Sequence, residues 1–192
     1  MLPSKVTLLI LWVDNLFCKF TPNFPPVQIK NLHISHSAMT PLNLPPITPV
    51  CRRTQQGQAQ IYDSLRGKFV ALTPEEWVRQ HFVAFLTVHK GYNPTLMANE
   101  IGLTLNGTRR RCDTVVFDRY SRPLAIVEYK APDIAISQRV FDQIVRYNMV
   151  MQAPYLMVSN GISHYCCAID IAARTYSFLH DIPEYSTLKI PV

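Results

Sequence analysis

The chain has 192 residues, a hydrophobic content of 48% and a formal net charge of +6. This length is enough for one domain with a hydrophobic core and a tail. The positive charge favours contact with a polyanion, although many basic proteins bind none, so it supports a function only beside other observations.

Motif searches exclude several function classes. The sequence lacks GxxxxGK[ST], so it encodes no ATP-driven motor, and it also lacks GxSxG and HExxH. The five cysteines are an odd number and form no CxxC pair, which argues against a zinc site. Cys166 and Cys167 should point to opposite faces of a strand. A reduced, cytoplasmic setting fits this cysteine usage best.

The N-terminal part has an apolar run, VTLLILWV (6–13), which is too short to span a bilayer and is followed by Asp14. We therefore expect no membrane contact. Proline-rich stretches follow, TPNFPPV and TPLNLPPITP, which are typical of linkers. We predict an extended or disordered segment over 1–41 and a folded domain over 42–192. The interpretation that we prefer sets the functional start at Met39.

The predicted elements alternate between strands and helices. Residues 61–72 suggest a hairpin turning at Arg66-Gly67. Thr73 and Glu76 form a capping box with Pro74 between them, which predicts a helix to about His89. A strand at 100–105, a turn at 106–107 and a hairpin over 112–129 come next. Ser137 can cap a helix over 138–151, and strands follow at 155–161, 165–171 and 175–182. This order predicts an α/β domain with a mixed central sheet.

The hairpin over CDTVVF (112–117) and LAIVEY (124–129) carries charges that need an explanation. A symmetric register sets Phe117 opposite Leu124, Val115 opposite Ile126, and Asp113 opposite Glu128, with Lys130 two residues beyond Glu128. Two facing carboxylates repel each other unless a cation lies between them. The arrangement suits Mg²⁺ chemistry on phosphate. A solvated sheet face is the plainer alternative, but apolar flanks place this hairpin at the centre of the sheet.

Asp113, followed after fourteen residues by Glu128-Tyr129-Lys130, resembles the PD-(D/E)XK nuclease motif, with cysteine in place of the proline. Gln143 and Tyr147, four residues apart on the second helix, resemble the QxxxY motif of the RecB-like branch of that superfamily. The alternative for that pair is a core tyrosine beside an exposed glutamine.

The resemblance extends over about 42–185 to small proteins related to the N-terminal nuclease domain of type I restriction enzyme R subunits. It rests on LNLPP (42–46), ALTPEEWVRQHF (71–82), VEYKAP (127–132), FDQIVRYN (141–148), APYLMVSNG (153–161) and HYCCAID (164–170). It implies a restriction-endonuclease-like αβββαβ fold, DNA as substrate, and hydrolysis with Mg²⁺, for which Mn²⁺ can substitute. Other restriction-modification subunits are implied as partners.

The resemblance also assigns roles to residues. Asp113 and Glu128 would bind the metal with the Tyr129 carbonyl as a third oxygen, and Lys130 would position water. Glu75, on the first helix, is our choice for an additional acid. Its plainer alternative is a surface pair with Arg79.

Other interpretations stay open. Arg109, Arg110 and Arg111 could neutralise phosphates or form a solvated turn. We expect His164, Cys166 and Cys167 to be structural. A rival function is a DNA-binding or assembly module that no longer cuts, and RNA is a third option because nothing in the sequence reads a 2′-hydroxyl.

Overall fold

A computed structural model describes residues 39–105, 107–170, 173 and 175–189, without the side chains of residues 105, 143, 146, 147 and 149. The strands are β1 (Cys51–Arg53), β2 (Ala59–Asp63), β3 (Lys68–Ala71), β4 (Met97–Leu105), β5 (Thr108–Phe117), β6 (Pro123–Tyr129), β7 (Tyr155–Ser159), β8 (His164–Asp170) and β9 (Thr175–Phe178). The helices are α1 (Pro74–His89) and α2 (Gln138–Met151).

The main sheet is mixed and contains β4 to β9 in chain order, beside a small antiparallel sheet of β1, β2 and β3. Pairing in the main sheet is antiparallel except between β6 and β7, which run parallel because α2 crosses over between them. From α1 to β7 the order is αβββαβ, as predicted. The predicted hairpin over 112–129 lies inside the sheet, with β4 on one side and β7 on the other.

The two helices cover opposite faces of the main sheet. On one face, Val78, Phe82 and Leu86 of α1 pack in a first apolar cluster with residues such as Val127 and Met157. On the other face, Val140, Phe141 and Ile144 of α2 pack in a second cluster with residues such as Val115 and Ile126. The helices are stable here because each buries an apolar stripe against the sheet.

The start of α1 follows the predicted cap only in part. The Thr73 hydroxyl accepts a hydrogen bond from the Glu76 amide at 3.1 Å, and Pro74 occupies the first turn. The prediction of a full capping box is wrong, because the Thr73 amide donates to the Ala71 carbonyl and not to the Glu76 side chain. The Glu76 carboxylate is therefore available for contacts elsewhere. Ser137 holds the N-cap position of α2 without a side-chain capping bond.

The hairpin register is confirmed at its centre and wrong near its turn. Val115 pairs with Ile126 as predicted. Phe117 pairs with Pro123 rather than Leu124, because an irregularity between Val116 and Phe117 shifts the ladder by one residue.

Several element boundaries differ from the predictions. The strand predicted at 100–105 begins earlier, at Met97, and the last strand ends at Phe178. Two predictions fall partly outside the described residues. They are the turn at 106–107, through residue 106, and the N-terminal segment, through residues 1–38. Within the described ranges, none of the helices has the length and apolar character needed to cross a membrane.

Candidate active site

Strands β5 and β6 separate at the charged end of the hairpin. Their backbone pairing reaches Thr114 and Val127. Beyond that point the Asp113 carboxylate acts as the partner of β6, because its Oδ2 accepts a hydrogen bond from the Tyr129 amide at 2.9 Å. Extending the register by one residue sets Asp113 opposite Glu128. The two carboxylates thus lie on neighbouring strands where the sheet opens.

Glu128 and Lys130 form an ion pair at this opening. Lys130 Nζ lies 2.8 Å from Glu128 Oε1, and the Glu128 side chain is only 5% exposed. Burial raises the pKa of Glu128 to about 7, and the charge of Asp113 adds to the rise, while Lys130 opposes it. Burial lowers the pKa of Lys130, but Glu128 outweighs that effect, so the net shift is upward and the ammonium keeps its charge.

Glu75 belongs to the same charge cluster. It is half-buried on α1. Burial is the largest cause of its raised pKa and the charge of Asp113 is the second, while the charges of Lys130 and Arg79 lower this pKa. The structure therefore brings together Asp113, Glu128, Lys130 and Glu75, each of which affects the titration of another. Clusters of this kind are frequent at functional sites.

Arg79 is a residue whose role the sequence interpretation missed. Its side chain is 4% exposed, and its guanidinium lies 3.0 Å from Asp113, 3.2 Å from Glu76 and 2.7 Å from Glu100. Because this side chain is buried, the alternative of a surface pair between Glu75 and Arg79 is wrong. Burial disfavours its charge, but the three carboxylates raise its pKa overall. Its position on the inward stripe of α1, one turn after Glu75, was the available signal.

Glu100 is the second residue that was missed. It has a left-handed backbone, with φ of +62°, between Asn99 and Ile101, which pair with Thr114 and Cys112. This conformation is uncommon for residues other than glycine. It lets the Glu100 carboxylate contact both Arg79 and Arg111. Nothing in the local sequence indicates such a conformation.

Glu76 of α1 connects to the small sheet through a chain of contacts. Arg66, in the turn between β2 and β3, bonds both Asp63 and Glu76. Asp63 is fully buried and also accepts from Asn99 at 2.8 Å. Asn99 in turn accepts from the hydroxyl of Thr114, which follows Asp113 in the chain. The small sheet thus helps to hold the residues around the site.

The remaining predicted site residues have different outcomes. Gln143 and Tyr147 are on α2, but their side chains lie outside the described part of the structure, so their roles stay predictions. His164 is satisfied by Ser159 and the Asn43 carbonyl, as expected. Cys166 and Cys167 pack in opposite clusters, which confirms that they face opposite sides of the strand.

The donor set at the opening is suitable for a hard divalent cation. Among the residues that the structure describes, no three His, Cys, Asp or Glu side chains form a ready-made metal site. Mg²⁺, however, commonly uses one or two carboxylates and completes its shell with water and substrate phosphate. Asp113, Glu128 and the Tyr129 carbonyl are oxygen donors of that kind, and the repulsion between the two carboxylates would favour a cation between them.

A family model agrees with this architecture. The model for the type I restriction enzyme R protein N terminus matches residues 74–183, which is more than half of the chain. The chain belongs to this family. Its mixed sheet and αβββαβ order are those of a restriction-endonuclease-like fold, and the family connects the chain with restriction systems.

A solved structure is similar to this chain over part of its length. It is a fragment described as an HsdR subunit of a type I restriction enzyme from Vibrio vulnificus YJ016, with 19% sequence identity and a TM-score of 0.45. The match covers 61% of this chain and 24% of that one. A comparison with curated proteins found no match.

Proposed function

We propose that the domain hydrolyses phosphodiester bonds of DNA with the help of Mg²⁺, or of Mn²⁺ as a substitute. The observation that carries this proposal is the meeting of Asp113, Glu128 and Lys130 where β5 and β6 separate. The family adds the restriction context. Action in the cytoplasm, together with other restriction-modification subunits, is part of the same proposal.

In this proposal Asp113, Glu128 and the Tyr129 carbonyl would hold the metal. When bound, Mg²⁺ supplies neutralising charge for the phosphoryl oxygens. Hydrolysis joins the oxygen of a water to phosphorus and breaks the bond from phosphorus to the sugar oxygen, which takes up the proton that the water releases. Charge therefore develops on the phosphoryl group next to these residues.

Lys130 acts as a cation rather than as a base, because Glu128 raises its pKa. It donates hydrogen bonds to the attacking water or to a phosphoryl oxygen and stabilises the developing negative charge. Glu75 supplies a third carboxylate near Asp113 and Lys130. Gln143 and Tyr147 are proposed to support the site from α2.

The test is plasmid DNA cleavage with Mg²⁺ or Mn²⁺, comparing the wild-type chain, Lys130→Ala and Lys68→Ala. Lys68 is an exposed lysine on the small sheet and serves as the matched control. Loss of one charge-stabilising donor costs about 10²–10³-fold in rate. We expect that loss for Lys130→Ala and no change for Lys68→Ala. Cleavage that survives Lys130→Ala unchanged would refute the mechanism, and an RNA substrate run in parallel identifies the nucleic acid.

One observation favours a second candidate, a DNA-binding or assembly module that does not cut. The protein's own cations already contact the carboxylates, since Arg79 pairs with Asp113 and Lys130 with Glu128. Calorimetric titration with Mg²⁺ separates the two. The nuclease requires weak binding that Asp113→Asn abolishes, whereas the non-cutting module is supported by salt-dependent DNA binding without metal uptake.

A further inference from the structure

Beside the candidate site, β5 extends past the covered part of the sheet as an exposed basic stretch. Arg109, Arg110 and Arg111 are all exposed, and the strand then enters the core at Cys112. A groove of about 450 Å³ is lined by these arginines together with Glu100 and Asp113. The groove therefore joins the basic stretch directly to the carboxylates.

Strand alternation divides the three arginines between the two faces of the sheet. Arg110 pairs with Leu103, and both Leu103 and Cys112 belong to the second cluster, on the α2 side. Because side chains alternate along a strand, Arg109 and Arg111 project to the other face, on the α1 side. That is the face from which Arg79 reaches Asp113.

The face that carries Arg109 and Arg111 is open. The residues paired with them on β4 are Thr104 and Gly102, and both are exposed. A side chain built at Gly102 would meet nothing within 4 Å. A ligand can therefore approach both arginines across Thr104 and Gly102.

Arg111 is held in a way that allows exchange. It pairs with Glu100, but its side chain is 66% exposed, whereas Arg79, which shares Glu100, is 4% exposed. An exposed ion pair contributes little stability, so a phosphate can compete for Arg111. Arg79 stays on Glu100 and continues to neutralise it.

We propose that Arg109 and Arg111, but not Arg110, bind the phosphodiester backbone of DNA and lead it to the carboxylates. The ligand class rests on the proposed function. Residues two apart on a strand are separated by about 6.7 Å, and one DNA strand advances about 3.4 Å per nucleotide. Where β5 runs along the duplex axis, each step from Arg109 to Arg111 to Asp113 spans about two nucleotides.

The experiment measures binding of a labelled DNA duplex by fluorescence anisotropy across a salt series in EDTA. The proteins are the wild-type chain and the Ala variants of Arg109, Arg111, Arg110 and Arg119. Arg110 is the control on the opposite face, and Arg119 is the control beyond the other end of β5. Each lost phosphate contact lowers the slope of log K against log salt by about 0.9. We expect that decrease for Arg109→Ala and Arg111→Ala and an unchanged slope for both controls.

A charge-insertion variant gives a second measurement with every arginine present. Gly102→Glu places a carboxylate opposite Arg111 in open space, and we expect weaker binding at an unchanged melting temperature. Equal loss with Arg110→Ala, unchanged slopes for Arg109→Ala and Arg111→Ala, or no salt-dependent binding would overturn the proposal. This experiment measures binding and not cleavage. If Lys130→Ala still cuts DNA, the proposed mechanism fails but the binding result is unaffected. If the binding slopes do not change, the cleavage test is likewise unaffected.

Discussion

Glu128 should make the metal-free protein less stable as the pH rises. Its pKa in the folded chain is about 7, against an ordinary value of 4.5, because the carboxyl is buried beside Asp113. The folded state therefore holds a proton that the unfolded state has released. The resulting stabilisation is complete below about pH 4.5 and is lost as the pH rises through about 7. The perturbation that isolates this effect is Glu128→Gln, which cannot titrate.

The size of the effect follows from the same pKa rise. Each pKa unit corresponds to about 1.4 kcal/mol, so the rise from 4.5 to about 7 corresponds to about 3 kcal/mol over the whole pH range. Most of it falls between pH 5 and 8. Between those limits, the wild-type chain should lose that much unfolding free energy relative to Glu128→Gln.

Urea unfolding in EDTA at both pH values measures the difference. Asp142→Asn removes an exposed carboxylate from α2 and serves as the control, with an expected change below about 0.5 kcal/mol. Added Mg²⁺ should reduce the loss in the wild-type chain alone. If the wild-type chain and Glu128→Gln show the same change in unfolding free energy between pH 5 and 8, the reasoning is refuted, because the Glu128 carboxylate would then be well solvated.

Two further substitutions test the surroundings of the site. Arg79→Leu removes a buried cation from Asp113 and two other carboxylates, and it should lower the unfolding free energy measured in urea by about 3 kcal/mol. This is the low end for a broken buried pair, because each acid keeps another partner. A loss below about 1 kcal/mol would contradict this expectation. Gly161→Ala should lower the melting temperature and cost about 1–3 kcal/mol of unfolding free energy. The reason is that φ is +82° and the new Cβ would lie 2.6 Å from Leu42 Cδ2. An unchanged melting temperature would show that Leu42 moves aside freely.

Local patterns in the sequence predicted the elements that position the site. The Thr73-Pro74 start of α1 and the apolar flanks of the hairpin are short-range signals, and both elements form where expected. The pairing of Glu128 with Lys130 follows from the two-residue period of a strand.

Long-range contacts account for what the sequence patterns missed. The sequence position of Glu76 matches a capping box, yet its carboxylate forms ion pairs with Arg66 and Arg79 instead. Glu100 contacts Arg79 from a left-handed position on β4, between two residues that pair with β5. Residues far apart in the chain determine these contacts, so no local window contains them.

The contact between Arg66 and Glu76 has a consequence for where this domain should be considered to begin. The family match starts at residue 74, so the small sheet lies wholly upstream of it. Yet Arg66 is a counter-ion of an acid on α1. A boundary drawn at the start of the match would remove that positive charge and leave Arg79 to balance the α1 acid by itself. Electrostatically, the smallest self-sufficient unit includes β2, β3 and the turn that joins them.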